Sequence, residues 1–175
     1  MRGMNLFVLV VGLWHAGAVC AASGVAKLQA TSDQTPVEGD VRFTDTAEGL
    51  RVEAQIRRAP PGRHGFHLHE FGRCDNQGKA AGNHYNPLNT THGDVVSEGV
   101  EHAHAGDLGN LEIDTDGQGR LMRVIPGIQL SEGRYPVAGR SVVLHADPDD
   151  FSQPSGNAGA RIGCGPILIT AADAE

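Results

Sequence analysis

The sequence predicts an all-β domain, an antiparallel sandwich or flattened barrel, and three observations carry that prediction. Twenty-four glycines and nine prolines accompany only 5% aromatic residues among 175, the profile of a turn-rich chain. Apolar side chains alternate with polar ones at period 2 in several short runs, while helical periodicity is scarce. Turn-forming clusters stand between those runs at the spacing expected of short strands. The length suits one domain with a proper core. No internal repeat, linker or low-complexity tract interrupts it.

The first element is a leader. Arg2 precedes an apolar run from Leu6 to Val11 that continues as GLWHAGAV and ends in the small residues of VCAAS. That is the order of a secretory signal peptide. A membrane anchor needs about 18–20 apolar residues, and this shorter run is broken by His15. Val19 and Ala21 supply small residues at −3 and −1, so residues 1–21 are read as a removed leader and Ala22 as the mature start, within a residue either way. Lipidation of Cys20 is the lesser alternative, because GAV is a poor lead-in. Only Arg2 among charged residues leaves with the leader, so the net charge moves from −7 to −8. An acidic balance argues against nucleic acid or an anionic membrane as partner. Of three cysteines, Cys74 and Cys164 remain in an exported chain. Two such thiols read as a disulfide, and they stand too far apart for a CxxC zinc knuckle.

Strand signals then follow in order. Val41 and Phe43 alternate after PVEGD, and Leu50, Val52, Ala54 and Ile56 alternate between AEG and APPGR. Next comes GFHLHEFGRC (residues 65–74), where Phe66 and Leu68 take one parity and His67 and His69 the other. Leu111 and Ile113 precede DTDGQG, which resembles a calcium loop but lacks its downstream ligands; Asp116-Gly117 reads as a hairpin turn. IPG and SEGRYPVAGR are further turn signals, followed by Val142 and Leu144, then Ile167 and Ile169. Residues 70–107 and 146–160 fit no strand pattern. Long irregular loops in a compact domain are functional or disordered, and here the histidines decide.

Nine histidines are present, His15 in the leader and eight beyond it, seven of which fall within residues 64–104. On a strand, residues i and i+2 share a face roughly 6–7 Å apart. Phe66 and Leu68 therefore point to the core while His67 and His69 project together, a geometry suited to one metal ion. An isolated HxH is as readily a solvated surface pair. This pair is joined by His84 and His92 in GNHYNPLNTTHG, by His104 and Asp107 in HAHAGDLGN, and by His145 at the end of RSVVLH. Imidazole suits copper and zinc, a mixed His and carboxylate set suits zinc, and no thiolate is present in the cluster. Six His and one Asp offer seven donors, enough for two metals, without saying whether one donor is shared.

HGFHLHEFG, GNHYNPLNTTHG, HAGDLGNL, GRSVVLHADPDD and GNAGARIGCG resemble, in order and over nearly the whole mature length, the signature segments of the copper/zinc superoxide dismutases. That family has a Greek-key antiparallel β-sandwich, immunoglobulin-like in architecture, with two long functional loops, so this refinement of the fold comes from the resemblance. Cys74, five residues after His69, resembles the secreted bacterial branch. The resemblance implies copper held by His67, His69, His84 and His145, and zinc held by His84, His92, His104 and Asp107. His84 then bridges the two ions, which accounts for the donor count. Asp149 would join a copper-site His to a zinc-site His, fixing ring orientation. Arg161 would be the cation beside the open copper position, though an Arg after a Gly-rich loop is by itself a plain surface residue. His64 would be a structural hydrogen-bonding histidine. His102 shares the parity of His104 if that stretch is extended, and is its rival for zinc; the HxGD match favours His104.

The implied reaction converts superoxide anion to dioxygen and hydrogen peroxide, with one copper and one zinc per chain. Such an enzyme would be exported, to the periplasm or beyond the cell, and the family includes homodimers as well as monomers. Two departures from the commonest pattern stand out. The stretch from His92 to His104 is longer by a few residues, and the segment from His145 to Arg161 is short and has no Lys. Lys79 is the candidate for any steering cation, against the plainer reading of a solvated loop Lys. A copper-delivery module or an inactive domain on the same scaffold would be expected to lack a ligand, the second carboxylate Asp149 or Arg161, and this chain has all of them.

Overall fold

The computed structural model describes residues 22–170, so the leader read at residues 1–21 lies outside the described residues. Nine strands are present among them: β1 (Ser23–Ala30), β2 (Glu38–Thr46), β3 (Gly49–Arg58), β4 (Gly62–His69), β5 (Asp107–Ile113), β6 (Gly119–Ile125), β7 (Ser141–His145), β8 (Arg161–Pro166) and β9 (Leu168–Thr170). They pair antiparallel in the order β2-β3-β6-β5-β4-β7-β8-β1, and β1 returns to β2, which closes a barrel. β9 prolongs β8 along the same edge of β1, with Ala30 opposite Gly163 and Val25 opposite Leu168 in one register. β4, β5 and β6 follow one another as neighbours and β7 comes back beside β4, the Greek-key return.

The period-2 runs explain the interior. Val41 and Phe43 of β2 face Ala54 and Val52 of β3, all inward and buried. Leu50, Ile56, Phe66, Leu68, Leu111 and Leu144 complete the same core. Each such side chain stabilises the fold by roughly 1.5–3 kcal/mol relative to exposure.

Three readings are corrected. PVEGD is not a turn: β2 already runs from Glu38, and the turn lies earlier, at residues 31–35. Gly39 instead sits at a register shift where a Cβ would lie 2.8 Å from Ile56 Cδ1 and 2.9 Å from the Gln55 carbonyl oxygen, a close strand approach. Ile167 and Ile169 do not share a face. The strand breaks at Ile167, just after Pro166: the Ile167 N–H turns to the Arg140 carbonyl (2.8 Å), and Ile167 is buried while Leu168 and Ile169 are exposed. Residues 126–140 are more than turn signals, because Ile128, Leu130 and Val137 are fully buried in the core.

The loops between β4 and β5 and between β7 and β8 lie over the outer faces of β4 and β7. Ala81 and the disulfide-bonded Cys74 and Cys164 pack with the outward-facing Val143 as a second apolar cluster. β7 is consequently buried at every residue. The Cys74–Cys164 bond closes a separation of 90 residues. Chain entropy puts the effect of such a cross-link at about 4–5 kcal/mol. Cys74→Ser with Cys164→Ser should therefore lower the unfolding free energy of the metal-free protein by an amount approaching that value, measured by denaturant titration; an unchanged unfolding free energy would sink the expectation.

Candidate metal centre

β4 delivers His67 and His69 to the outer face because Phe66 and Leu68 must enter the core, and the covering loops leave both imidazoles fully buried. His145 ends β7, one strand away, where Phe66 faces Leu144. His84 arrives from the first loop through a bridge to His69. Three backbone hydrogen bonds fix that approach as a closed triangle: Leu68 N–H to the Gly106 carbonyl (2.9 Å), Gly106 N–H to Tyr85 (2.9 Å) and Tyr85 N–H to Leu68 (2.8 Å). Each corner is sequence-adjacent to site residues: His67 and His69, His84, and Asp107. Asp107 opens β5 opposite His67. Between His92 and His104 runs a single turn of helix, α1 (Val95–Glu98), capped by Asp94.

Two sets of four donors result, and a third group, His67, His92 and Asp149, is already joined by its own hydrogen bonds. His67, His69, His84 and His145 form one, His84, His92, His104 and Asp107 the other, with the donor atoms of each set within 4.8 Å of one another. His84 belongs to both. The hydrogen bonds determine which ring atom is left for an ion. His67 Nε2 faces Asp149 Oδ2 (2.9 Å), leaving a buried Nδ1 without any partner. His69 Nδ1 donates to the Gly82 carbonyl (3.0 Å) and His145 Nδ1 to that of Gly159 (3.3 Å), which leaves their Nε2 atoms 3.3 Å apart. Two nitrogens each about 2.0–2.1 Å from one tetrahedral ion would lie roughly 3.3–3.4 Å from one another. In the second set, Asp107 collects three imidazoles: His84 Nδ1 at 2.8 Å, His92 Nδ1 at 2.8 Å and His104 Nδ1 at 3.2 Å. The last two contacts lack hydrogen-bond alignment, leaving both nitrogens buried and unsatisfied. Unpaired buried polar atoms are costly, and donors converging without pairing fit a cation between them.

Electrostatics separates the two halves. Burial, reinforced by neighbouring imidazoles, pushes His69 and His145 far below the usual histidine range, so both stay neutral. Burial also lowers His84, to about 4, although Asp107 opposes it. His92 goes the other way. Burial alone would lower it, but the Asp107 and Asp149 carboxylates beside its two ring nitrogens prevail and raise it to about 9. Asp107 and Asp149 resist the upward push of burial and stay ionised well below the carboxylate range, because imidazoles donate to them.

Asp149 joins the halves, accepting from His67 Nε2 and from His92 Nε2 (2.9 Å). Its backbone is held in turn by the Asn110 side chain, at 2.8 and 2.9 Å. His64 lies beneath, with Nδ1 on the His145 carbonyl (2.8 Å) and Nε2 on that of Pro60 (2.9 Å). His104 is buried in the second donor set and His102 is exposed. Sequence reasoning missed Asn110 and also Phe151 and Gln153, both of which contact His92. Only their placement near a loop Asp could have flagged them.

A cleft of about 760 Å³ opens over this centre, lined by His69, His84 and His145 on one side and by Glu70, Asn157 and Arg161 among others. The half-buried Arg161 guanidinium donates to the Gly78 and Gly82 carbonyls, each at 2.6 Å. Gly82 thus serves both Arg161 and His69. Lys79 is exposed and lines a separate cleft beside Arg161, together with Thr31 and Gln34.

A family model described as copper/zinc superoxide dismutase matches residues 37–167. A copper-zinc superoxide dismutase of Onchocerca volvulus is 42% identical over 148 residues, which covers 78% of this chain and 91% of the relative. Copper-zinc superoxide dismutase 3 of Arabidopsis thaliana is likewise 42% identical over 148 residues, covering 79% and 88%. An extracellular copper-zinc superoxide dismutase of Brugia pahangi is 36% identical over 160 residues, covering 86% and 77%. With the match spanning most of the barrel and both long loops, the chain belongs to the copper/zinc superoxide dismutase family.

Proposed function

We propose that His67, His69, His84 and His145 hold copper, that His84, His92, His104 and Asp107 hold zinc, and that superoxide is dismutated at the copper side of the cleft. The observation that carries this reading is the membership of His84 in both donor sets. Copper, when bound, supplies the one-electron couple that oxidises one superoxide to dioxygen and reduces the next to peroxide, while zinc, which has no redox couple, anchors and acidifies the shared imidazole.

The chain's own groups do the rest. His84 Nδ1 is committed to the Asp107 side, so its Nε2 is the atom that can take up a proton and release it to departing peroxide. His69 and His145 remain neutral donors down to low pH. Arg161 places a cation beside the anion's approach in a protein of net negative charge. A local field outweighs distant charges because salt screens beyond about 10 Å.

The zinc assignment has a proton signature. Below about pH 9 the proton on His92 competes with the metal, so zinc affinity should climb with pH up to that point. At pH 7.5, zinc binding to metal-free protein should release about one proton from His92, and copper added afterwards about one more, the remaining N–H of His84. Titration calorimetry in buffers of different ionisation enthalpy measures both; no release in the zinc step would remove His92 from the ligand set.

Export is part of the same proposal. The leader pattern at residues 1–21 and the oxidised Cys74–Cys164 pair support a periplasmic or extracellular enzyme, with the periplasm preferred. The spacing from His69 to Cys74 supports the secreted bacterial branch. Mass spectrometry on the periplasmic fraction of a bacterial expression host should find a chain starting at or near Ala22. An intact leader, or a lipid on Cys20, would overturn this.

A further inference from the structure

The loop between β7 and β8 grips His92 at three points. Asp149 accepts from its ring at Nε2 (2.9 Å), Phe151 lies along the ring face at a 23° tilt and 6.4 Å between centroids, and Gln153 pairs with its backbone. That last contact is two-sided: the His92 N–H donates to Gln153 Oε1 (3.0 Å) and Gln153 Nε2 donates to the His92 carbonyl (2.9 Å). Residues 149, 151 and 153 contact one histidine because the backbone between them is bent. Phe151 sits at φ 60°, a left-handed conformation that bulky residues avoid, and its N–H donates to Asp149 Oδ1 (2.8 Å). Gly156 closes the loop over the pair, since a Cβ there would overlap the Asp149 carboxylate.

We propose that Gln153 is a positioning residue for zinc: its carboxamide clamps the His92 backbone so that the imidazole keeps its Nδ1 directed at the other zinc donors. The inference rests on His92 being a zinc ligand. Its physical basis is reach. His92 comes from a long irregular loop with no strand ladder of its own; among the other proposed zinc ligands Asp107 accepts from the next N–H, that of Gly93 (3.0 Å), and the His92 N–H and carbonyl are left to Gln153. Asp149 and Phe151 hold the ring and Asp107 the Gly93 N–H beyond it, while the two-point carboxamide contact is what holds the N–H and carbonyl of His92 itself. Partners of this outer kind typically alter metal affinity by about 10–100-fold. Copper should be indifferent, because Gln153 touches none of His67, His69 or His145.

The test uses the fully metallated protein with wild-type, Gln153→Ala and Gln153→Glu side chains. Zinc transfer to an excess of a colorimetric chelator should be about 10–100-fold faster for Gln153→Ala, with copper content unchanged. Gln153→Glu keeps the acceptor for the His92 N–H but sets an oxygen against the His92 carbonyl, so it should not restore retention. Cobalt(II) placed in the zinc site should show a shifted visible spectrum in Gln153→Ala. Zinc release at the wild-type rate would overturn the proposal. So would a loss of thermal stability in the metal-free variant that fully accounts for faster release of both metals, which is mere loop packing. Failure of the underlying assignment looks different: His92→Ala would then take up and hold zinc as the wild type does.

Discussion

His145→Ala should lose copper and fall to background activity while retaining zinc, and His92→Ala should do the reverse to the metals. The expectation follows from the partition of ring nitrogens. His145 offers only Nε2, 3.3 Å from His69 Nε2, and contacts none of His92, His104 or Asp107. His92 turns both nitrogens to carboxylates, Nδ1 to Asp107 and Nε2 to Asp149, and takes no place in the first donor set. Losing an inner donor should weaken the ion by more than the ~10–100-fold that loss of an outer partner costs. His84→Ala should disturb both metals, because His84 belongs to both donor sets. Metal analysis of the three purified variants decides the matter, with thermal unfolding of the metal-free forms controlling for the cavity each deletion leaves in a buried site. Equal loss of both metals from His145→Ala and His92→Ala would refute the two-site partition.

Much of this centre was legible in the sequence where the signal was local. HxH on a strand fixes two imidazoles on one face whatever surrounds them, and the inward pair Phe66 and Leu68 announces which face that is. The alternation of β3, from Leu50 to Ile56, likewise survives intact because both of its neighbours pair in register. Period 2 reports one-sided burial only, however. It gave no sign that the outer faces of β4 and β7 would be covered, since the cover comes from Ala81, Cys74 and Cys164, far along the chain.

The rivalry between His102 and His104 shows the same limit. Equal parity would matter if the stretch were extended, but the N–H groups of His102 and Ala103 both turn back to the Gly99 carbonyl, and the turn sends one histidine out and the other in. Gln153 was invisible for a related reason. A carboxamide bonded to a backbone 61 residues away leaves no periodicity, charge pattern or motif behind. Ile128, Leu130 and Val137 lie in a segment rich in Gly, Pro and charge, whose turn chemistry is real but masks three fully buried side chains.

Arg161 is not the plain surface residue that an Arg after a Gly-rich loop suggests: its geometry joins a cation in the cleft to a packing role in the loop. The guanidinium lines the cleft and at the same time ties down Gly78 and Gly82 in the loop that the disulfide anchors. Burial draws its pKa down, but a guanidinium stays charged at any working pH. Arg161→Ala should therefore lower the catalytic rate constant and flatten its dependence on ionic strength, because one attractive charge at the approach is gone. It should also lower unfolding stability by roughly 1–3 kcal/mol, the range for losing hydrogen bonds to a charged group. Copper and zinc should stay bound, since His69 keeps its own bond to the Gly82 carbonyl. Arg161→Lys should recover part of the rate but little of the stability, because a single ammonium cannot reproduce the planar fork across two carbonyls. Arg161→Glu should be the worst of the three, since it repels the anion and sets a carboxylate against both carbonyl oxygens. Pulse-radiolysis rates over a salt series, metal content and denaturant unfolding on the same three proteins separate the two roles. A wild-type rate at low salt in Arg161→Ala would confine Arg161 to packing, and a lowered rate accompanied by copper loss would assign the effect to His69 instead.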